Sequence, residues 1–124
     1  MNRGMYEQKI IDHSRQPHNF HGLADADGHS HQANPLCGDE IDFYLKYDQA
    51  GRVTAATFQG RGCAISQAAA SMLTEKLIGL TRSEIDALAA DDVNQLLGVT
   101  VTPARITCAT LGLKAAQAAS AELK

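Results

Sequence analysis

Ile41, Phe43, Leu45 and Tyr47 alternate with Asp42, Tyr44 and Lys46, and a period of two is the mark of a strand with one buried face. Gln49-Ala50-Gly51-Arg52 then supplies turn chemistry, and residues 53–59 carry the branched and aromatic content of a returning strand. The two runs predict an antiparallel hairpin. The alternation slips between Val53 and the Ala56/Phe58 pair, so either a bulge or a different strand boundary lies there. Beyond Gly62 the period changes. Ile65, Ala69, Met72, Leu73, Leu77 and Leu80 recur at steps of three and four, which predicts a helix laid against a core.

The flanking segments are read from weaker signals. Residues 4–14 predict a first helix with Met5, Tyr6, Ile10 and Ile11 as its apolar side, ending before Pro17. Residues 17–35 are rich in Gly, Asp, His and Asn, which predicts loop with a short strand over residues 29–33. Thr81-Arg82-Ser83-Glu84 has the form of a capping box opening a short helix over residues 85–89. Asp91 is placed to cap another over residues 93–97, which Gly98 stops. Pro103 can begin the last helix, lined by Ile106, Ala109, Leu113, Ala116, Ser120 and Leu123. Cys108 falls off that stripe, toward Leu111, Gly112 and Ala115. A small sheet followed by helices is an α+β domain.

Composition narrows the function. The chain has 124 residues with 44% hydrophobic content, the size of one domain, 1–124, with enough apolar material for a single core. A net charge of -3, with 11 basic residues in no long run, offers no electrostatic footprint for DNA or RNA. No apolar run approaches a membrane span and the first ten residues lack a signal peptide's apolar stretch, so a cytoplasmic protein with no membrane partner is expected. Three cysteines far apart in sequence make a poor disulfide framework, and a reducing compartment keeps them available as thiolates. All five histidines, His13, His18, His21, His29 and His31, fall in the first quarter of the chain. They are expected to be solvated, with His31 the strongest ligand candidate among them.

Each cysteine has its own chemical setting. In Cys37-Gly38-Asp39, the glycine permits a tight turn that points a thiolate and a carboxylate at one centre. Cys63, in Gly60-Arg61-Gly62-Cys63-Ala64-Ile65-Ser66, lies between a strand end and a helix start, where unpaired amides and the helix dipole favour the thiolate. Cys108 follows Arg105 by three positions, so the guanidinium can lower the thiol's pKa or bind a partner's carboxylate. Taken singly, each cysteine is as well explained as a small buried hydrophobe. Taken together, Cys37, Asp39, Cys63 and Cys108 are a candidate metal site of three soft sulfurs and one hard oxygen. The carboxylate is the weaker, more exchangeable ligand, which points to a labile site.

Three segments carry a resemblance: Asn34-Pro35-Leu36-Cys37-Gly38-Asp39, Gly60-Arg61-Gly62-Cys63-Ala64-Ile65-Ser66 with the small-residue stretch 68–74, and Pro103-Ala104-Arg105-Ile106-Thr107-Cys108-Ala109-Thr110-Leu111. In this order they resemble the signature segments of the U-type iron-sulfur cluster assembly proteins, the family of IscU, SufU and the N-terminal domain of NifU. The resemblance implies a three-stranded antiparallel sheet with helices packed on it, and Cys37, Asp39, Cys63 and Cys108 as metal and cluster ligands. It also implies membership of an ISC or SUF system. A pyridoxal-phosphate (PLP)-dependent cysteine desulfurase would supply sulfur, and apo iron-sulfur proteins or carriers would accept the cluster.

Two roles follow from the resemblance. In one, the chain is a scaffold, not an enzyme, on which sulfur arrives as a persulfide, with Cys108 the candidate acceptor, and combines with iron into a transient [2Fe-2S] cluster. In the other, Zn2+ occupies the site and the chain accepts persulfide sulfur by thiol exchange, as SufU does. The local motifs resemble SufU. Only 44 residues separate Cys63 from Cys108, near the IscU length, and Thr107 stands where the IscU branch carries a histidine. The absent histidine leaves an IscU-type ligand swap and dedicated Hsp70 release outside what the resemblance implies, and the short spacing does the same for the SufU docking mode. A hydrolase using a Cys and His pair is the weakest reading, since no histidine neighbours Cys63 or Cys108 in sequence.

Overall fold

The computed structural model describes residues 3–34, 38–98 and 106–121. Helix α1 (Arg3–Arg15) precedes a three-stranded sheet, β1 (Gly28–Asn34), β2 (Asp39–Tyr47) and β3 (Val53–Arg61). The strands are antiparallel in the order β1-β2-β3. Helices α2 (Ala64–Leu77), α3 (Arg82–Asp86), α4 (Ala90–Leu97), α5 (Ile106–Ala109) and α6 (Leu111–Ala121) follow. The α+β architecture expected from the sequence is the one found.

The alternation in β2 sets the layers. Ile41, Phe43 and Leu45 are fully buried, and Ala56 and Phe58 of β3 are buried with them, in the layer where β2 packs on α6 and β3 on α2. Each large apolar side chain in that layer contributes about 1.5–3 kcal/mol relative to exposure. The opposite face carries polar pairs set by register: His29 stacks on Tyr44 with ring centroids 4.6 Å apart, and Arg61 donates to Glu40 at 3.0 Å. The slip near Val53 is a bulge. Tyr47 pairs with Val53 while Lys46 pairs with Ala55, so the strand's buried parity changes across Thr54.

Several expectations are adjusted. Strand β1 is longer than residues 29–33, and Ser30 on its inner face donates to the Ala115 carbonyl of α6 at 2.6 Å. On α1, Ile10 is buried but Ile11 is 39% exposed; the side chains of Met5 and Tyr6 lie outside what is described. Helix α1 is held instead through His13, which is buried rather than solvated. Its Nδ1 lies 2.6 Å from Ser71 Oγ on α2.

The capping box at Thr81 and Glu84 is present, though the helix it opens spans Arg82–Asp86, earlier than expected. Helix α4 has Ala89 as its N-cap. Asp92, not Asp91, reaches back to accept from the Ala89 N–H at 2.8 Å. Gly98 does end α4, in the left-handed region. The last helix is divided at Thr110, whose hydroxyl and N–H both share the Ile106 carbonyl, a local competition that loosens helices. Pro103 and Leu123 lie outside the described residues.

Candidate metal centre

Asp39, Cys63 and Cys108 come from three different elements. Asp39 is the first residue of β2, reached through Gly38, which sits at φ +73°. That left-handed conformation costs a side-chain-bearing residue about 1–3 kcal/mol, and among the described residues no atom crowds the place a Cβ would take. The glycine is therefore used for its backbone freedom, as the sequence indicates. Cys63 is the N-cap of α2, with its backbone still extended. Cys108 lies in the short helix α5 and is buried.

These three side chains converge. Each offers one ligand atom, and the three atoms lie within 4.8 Å of one another. Around a tetrahedral ion with metal–sulfur bonds near 2.3 Å, two sulfurs sit about 3.8 Å apart. The trio therefore closes on an ion after shifts of about 1 Å. The donor chemistry, two thiols and a carboxylate, fits zinc, iron or an iron-sulfur cluster, and three ligands leave one tetrahedral position for a fourth. Cys37 and Arg105, the remaining site residues expected from the sequence, lie outside the described residues.

The carboxylate of Asp39 has two separate tasks. Its Oδ1 accepts the Cys63 N–H at 3.1 Å, and the Cys63 Sγ donates to Oδ2 at 3.7 Å. One oxygen is fastened to the start of α2, and the other is turned to the sulfur. Asp39 is only 2% exposed, so a charge-assisted bond there is worth about 1.5–3 kcal/mol. Gly62 makes room for it: a Cβ at that position would stand 2.7 Å from Asp39 Cγ and 2.8 Å from Oδ1.

A residue not foreseen as functional adjoins Cys108. Asn34 Nδ2, at the end of β1, donates to Thr107 Oγ1 at 3.2 Å and lies 4.0 Å from Cys108 Sγ. A donor aimed at a ligating sulfur orients it and tunes its basicity. Asn34 opens the first signature segment, and that position was its only signal in the sequence. A cleft of about 230 Å³ opens beside this pair, lined by Asn34, Thr107, Thr110 and Lys114 among others. His31, the foremost histidine candidate, is not in this group; its Nδ1 is 3.2 Å from Asp42 on the outer sheet face. Among the described residues, no histidine joins the Asp39, Cys63 and Cys108 cluster.

The family model described as NifU-like N terminal domain matches residues 5–124, nearly the whole chain. The chain belongs to this family. It is 38% identical to the zinc-dependent sulfurtransferase SufU of Bacillus subtilis, over 90% of this chain and 86% of that one. It is 30% identical to the iron-sulfur cluster assembly scaffold protein IscU of Escherichia coli, over 96% of this chain and 94% of that one. A crystal structure of a hypothetical protein superimposes with a TM-score of 0.83 at 31% identity, covering 97% of this chain and 99% of that one. A NifU-like N-terminal protein from Brucella abortus shares the fold, with a TM-score of 0.76 at 23% identity over 95% and 93% of the two chains. Among the described residues, no helix is long and apolar enough to cross a membrane.

Proposed function

We propose that this NifU-like domain is an iron-sulfur cluster scaffold. Cys37, Asp39, Cys63 and Cys108 hold a [2Fe-2S] cluster while it is built from sulfur delivered by a PLP-dependent cysteine desulfurase, and the cluster then passes to an apo-protein. The observation that carries this reading is the gathering of Asp39, Cys63 and Cys108 ligand atoms within 4.8 Å from three separate elements. Gly38 shapes the approach to Asp39, and Arg105 serves as a cationic handle for the partner.

In the sulfur-receiving step, the Cys108 thiolate attacks the outer sulfur of the donor's persulfide. The donor's sulfur–sulfur bond breaks, its thiolate leaves, and a new sulfur–sulfur bond stands on Cys108. Each sulfur so delivered needs two electrons before it counts as sulfide, from two thiols that leave as a disulfide or from two one-electron transfers by a reduced iron-sulfur protein. The cleft lined by Asn34, Thr107 and Leu111, neighbours of the buried Cys108, is where the donor loop would approach. Asn34 keeps the sulfur oriented, and the hard oxygen of Asp39 keeps one coordination position exchangeable.

A second reading is supported by the likeness to a protein named as a zinc-dependent sulfurtransferase and by Thr107 beside Cys108. In it Zn2+ is held by the same residues, and one thiol is released to take the persulfide without cluster formation. Anaerobic purification followed by metal analysis, then reconstitution with iron and sulfide, separates the two. A sulfur-to-iron charge-transfer spectrum supports the scaffold. Stoichiometric zinc with no cluster after reconstitution supports sulfur transfer.

A further inference from the structure

Twelve positions along α2 from Cys63, about 18 Å at about 1.5 Å per residue, a second group of ligating side chains gathers around Glu75. His13 comes from the last turn of α1 and His18 from the loop after it. Each of the three offers one ligand atom, and these atoms lie within 4.8 Å of one another. We propose that His13, His18 and Glu75 form a second divalent-metal site, separate from the cysteine centre, that takes a borderline ion such as Zn2+.

The site has a built interior side and an adaptable outer one. His13 is 7% exposed and Ser71 is fully buried. Ser71 Oγ lies 2.6 Å from His13 Nδ1 and accepts the His18 backbone N–H at 2.7 Å. A hydroxyl oxygen has two lone pairs, so it can accept the His13 Nδ1 proton as well, which leaves Nε2 with its lone pair for a metal. A ligating histidine whose other nitrogen is fixed in this way is the usual arrangement at metal sites. Burial, with His18 close by, pushes the His13 pKa below its ordinary value.

The outer partners can move. His18 Nδ1 lies 2.8 Å from Glu75 Oε1, with both side chains about half exposed. The two imidazole rings are 4.3 Å apart at their centroids and tilted by 41°. Tetrahedral zinc with bonds of about 2.0–2.1 Å spaces its ligand atoms about 3.3 Å apart. The trio therefore needs a contraction of about 1.5 Å at most, within reach of two exposed side chains. Two imidazoles and one carboxylate favour zinc, cobalt or nickel over magnesium or calcium, and three protein ligands leave one position for water. Such an ion would tie the α1 end and the following loop to α2.

The test uses the full chain with all three cysteines replaced, Cys37→Ser, Cys63→Ser and Cys108→Ser together, so that no thiolate remains. Titration with Zn2+ alone is expected to show one equivalent bound, with a raised melting temperature by mass action. Co2+ in its place should give ligand-field absorption without a thiolate charge-transfer band. Adding His18→Ala or Glu75→Gln, both at exposed positions that leave the Ser71 contact to His13 intact, should weaken Zn2+ at least about tenfold. Ser71→Ala, checked for folding by circular dichroism, should weaken it as well. No Zn2+ bound by the triple-serine protein would overturn the proposal, and so would binding that His18→Ala and Glu75→Gln leave unchanged.

Discussion

Replacing Gly62 with alanine should act through Asp39. The new Cβ would sit 2.7 Å from Asp39 Cγ, and ordinary contact begins at 3.4 Å, so the carboxylate must retreat by about 0.7 Å. Asp39 is buried, and its Oδ1 accepts the Cys63 N–H at 3.1 Å. A retreat of that size takes the bond beyond useful hydrogen-bond distance and forfeits about 1.5–3 kcal/mol. With an unfolding entropy of about 2.1 cal/mol/K per residue, a chain of this length has about 0.26 kcal/mol/K in total, so the melting temperature should fall by about 6–12 °C. The assay is thermal unfolding of the metal-free protein in chelator, beside the same substitution in an Asp39→Ala background. There only the contact to the Asp39 Cβ persists, at 3.1 Å, and the added loss should shrink below about 1 kcal/mol. Melting within about 2 °C of the parent, or an undiminished loss without the carboxylate, would refute the reasoning.

Asp39→Ala should leave a cluster or metal that still binds but exchanges more slowly to an apo-ferredoxin, because the hard ligand is gone, while Cys63→Ser or Cys108→Ser should abolish productive assembly; outright metal loss with unchanged transfer per bound cluster would mean Asp39 is only a structural ligand. Since thiols must lose protons to bind, zinc affinity should fall as pH drops below neutrality, and calorimetry in buffers of different ionisation enthalpy should count released protons; no release would remove the cysteines from the ligand set. Thr81→Ala should cost about 1 kcal/mol by removing the α3 cap, readable as a lower denaturant midpoint. In the same box, the Thr81 N–H and then its hydroxyl hold the Glu84 pKa below its usual 4.5. The stability this gives is full above pH 4.5 and is lost as pH falls through the lower folded value. Glu84→Gln should flatten that part of the acid limb, and an unchanged limb would count against the assignment.

The sheet and the cysteine centre were legible for different reasons. Ile41, Phe43 and Leu45 announce β2 because every second residue enters the core, and the bulge near Val53 shows as a break in that same parity. Asp39, Cys63 and Cys108 meet, as their settings at a turn, a helix start and an early helical position suggest, but Asp39 and Cys108 do so buried and not on the exposed surface expected of an open site. What escaped depends on contacts distant in sequence. Nothing local marks His13 as buried, because its partner Ser71 is 58 positions away. Strand β1 was underestimated because its inner face is anchored by the Ser30 hydroxyl on α6 rather than by apolar side chains. Asp92 displaced Asp91 as the cap because the chain enters α4 at Ala89, a boundary that periodicity fixes only to within a residue or two.

The most direct measurement of the scaffold reading is anaerobic incubation of the chain with a cysteine desulfurase, cysteine, ferrous iron and a thiol reductant, followed by addition of an apo-ferredoxin. The account predicts a [2Fe-2S] charge-transfer spectrum that grows on this protein, then decays as the ferredoxin's spectrum rises at a matching rate. A persulfide trapped on the chain with zinc still bound and no cluster spectrum at any time would contradict it.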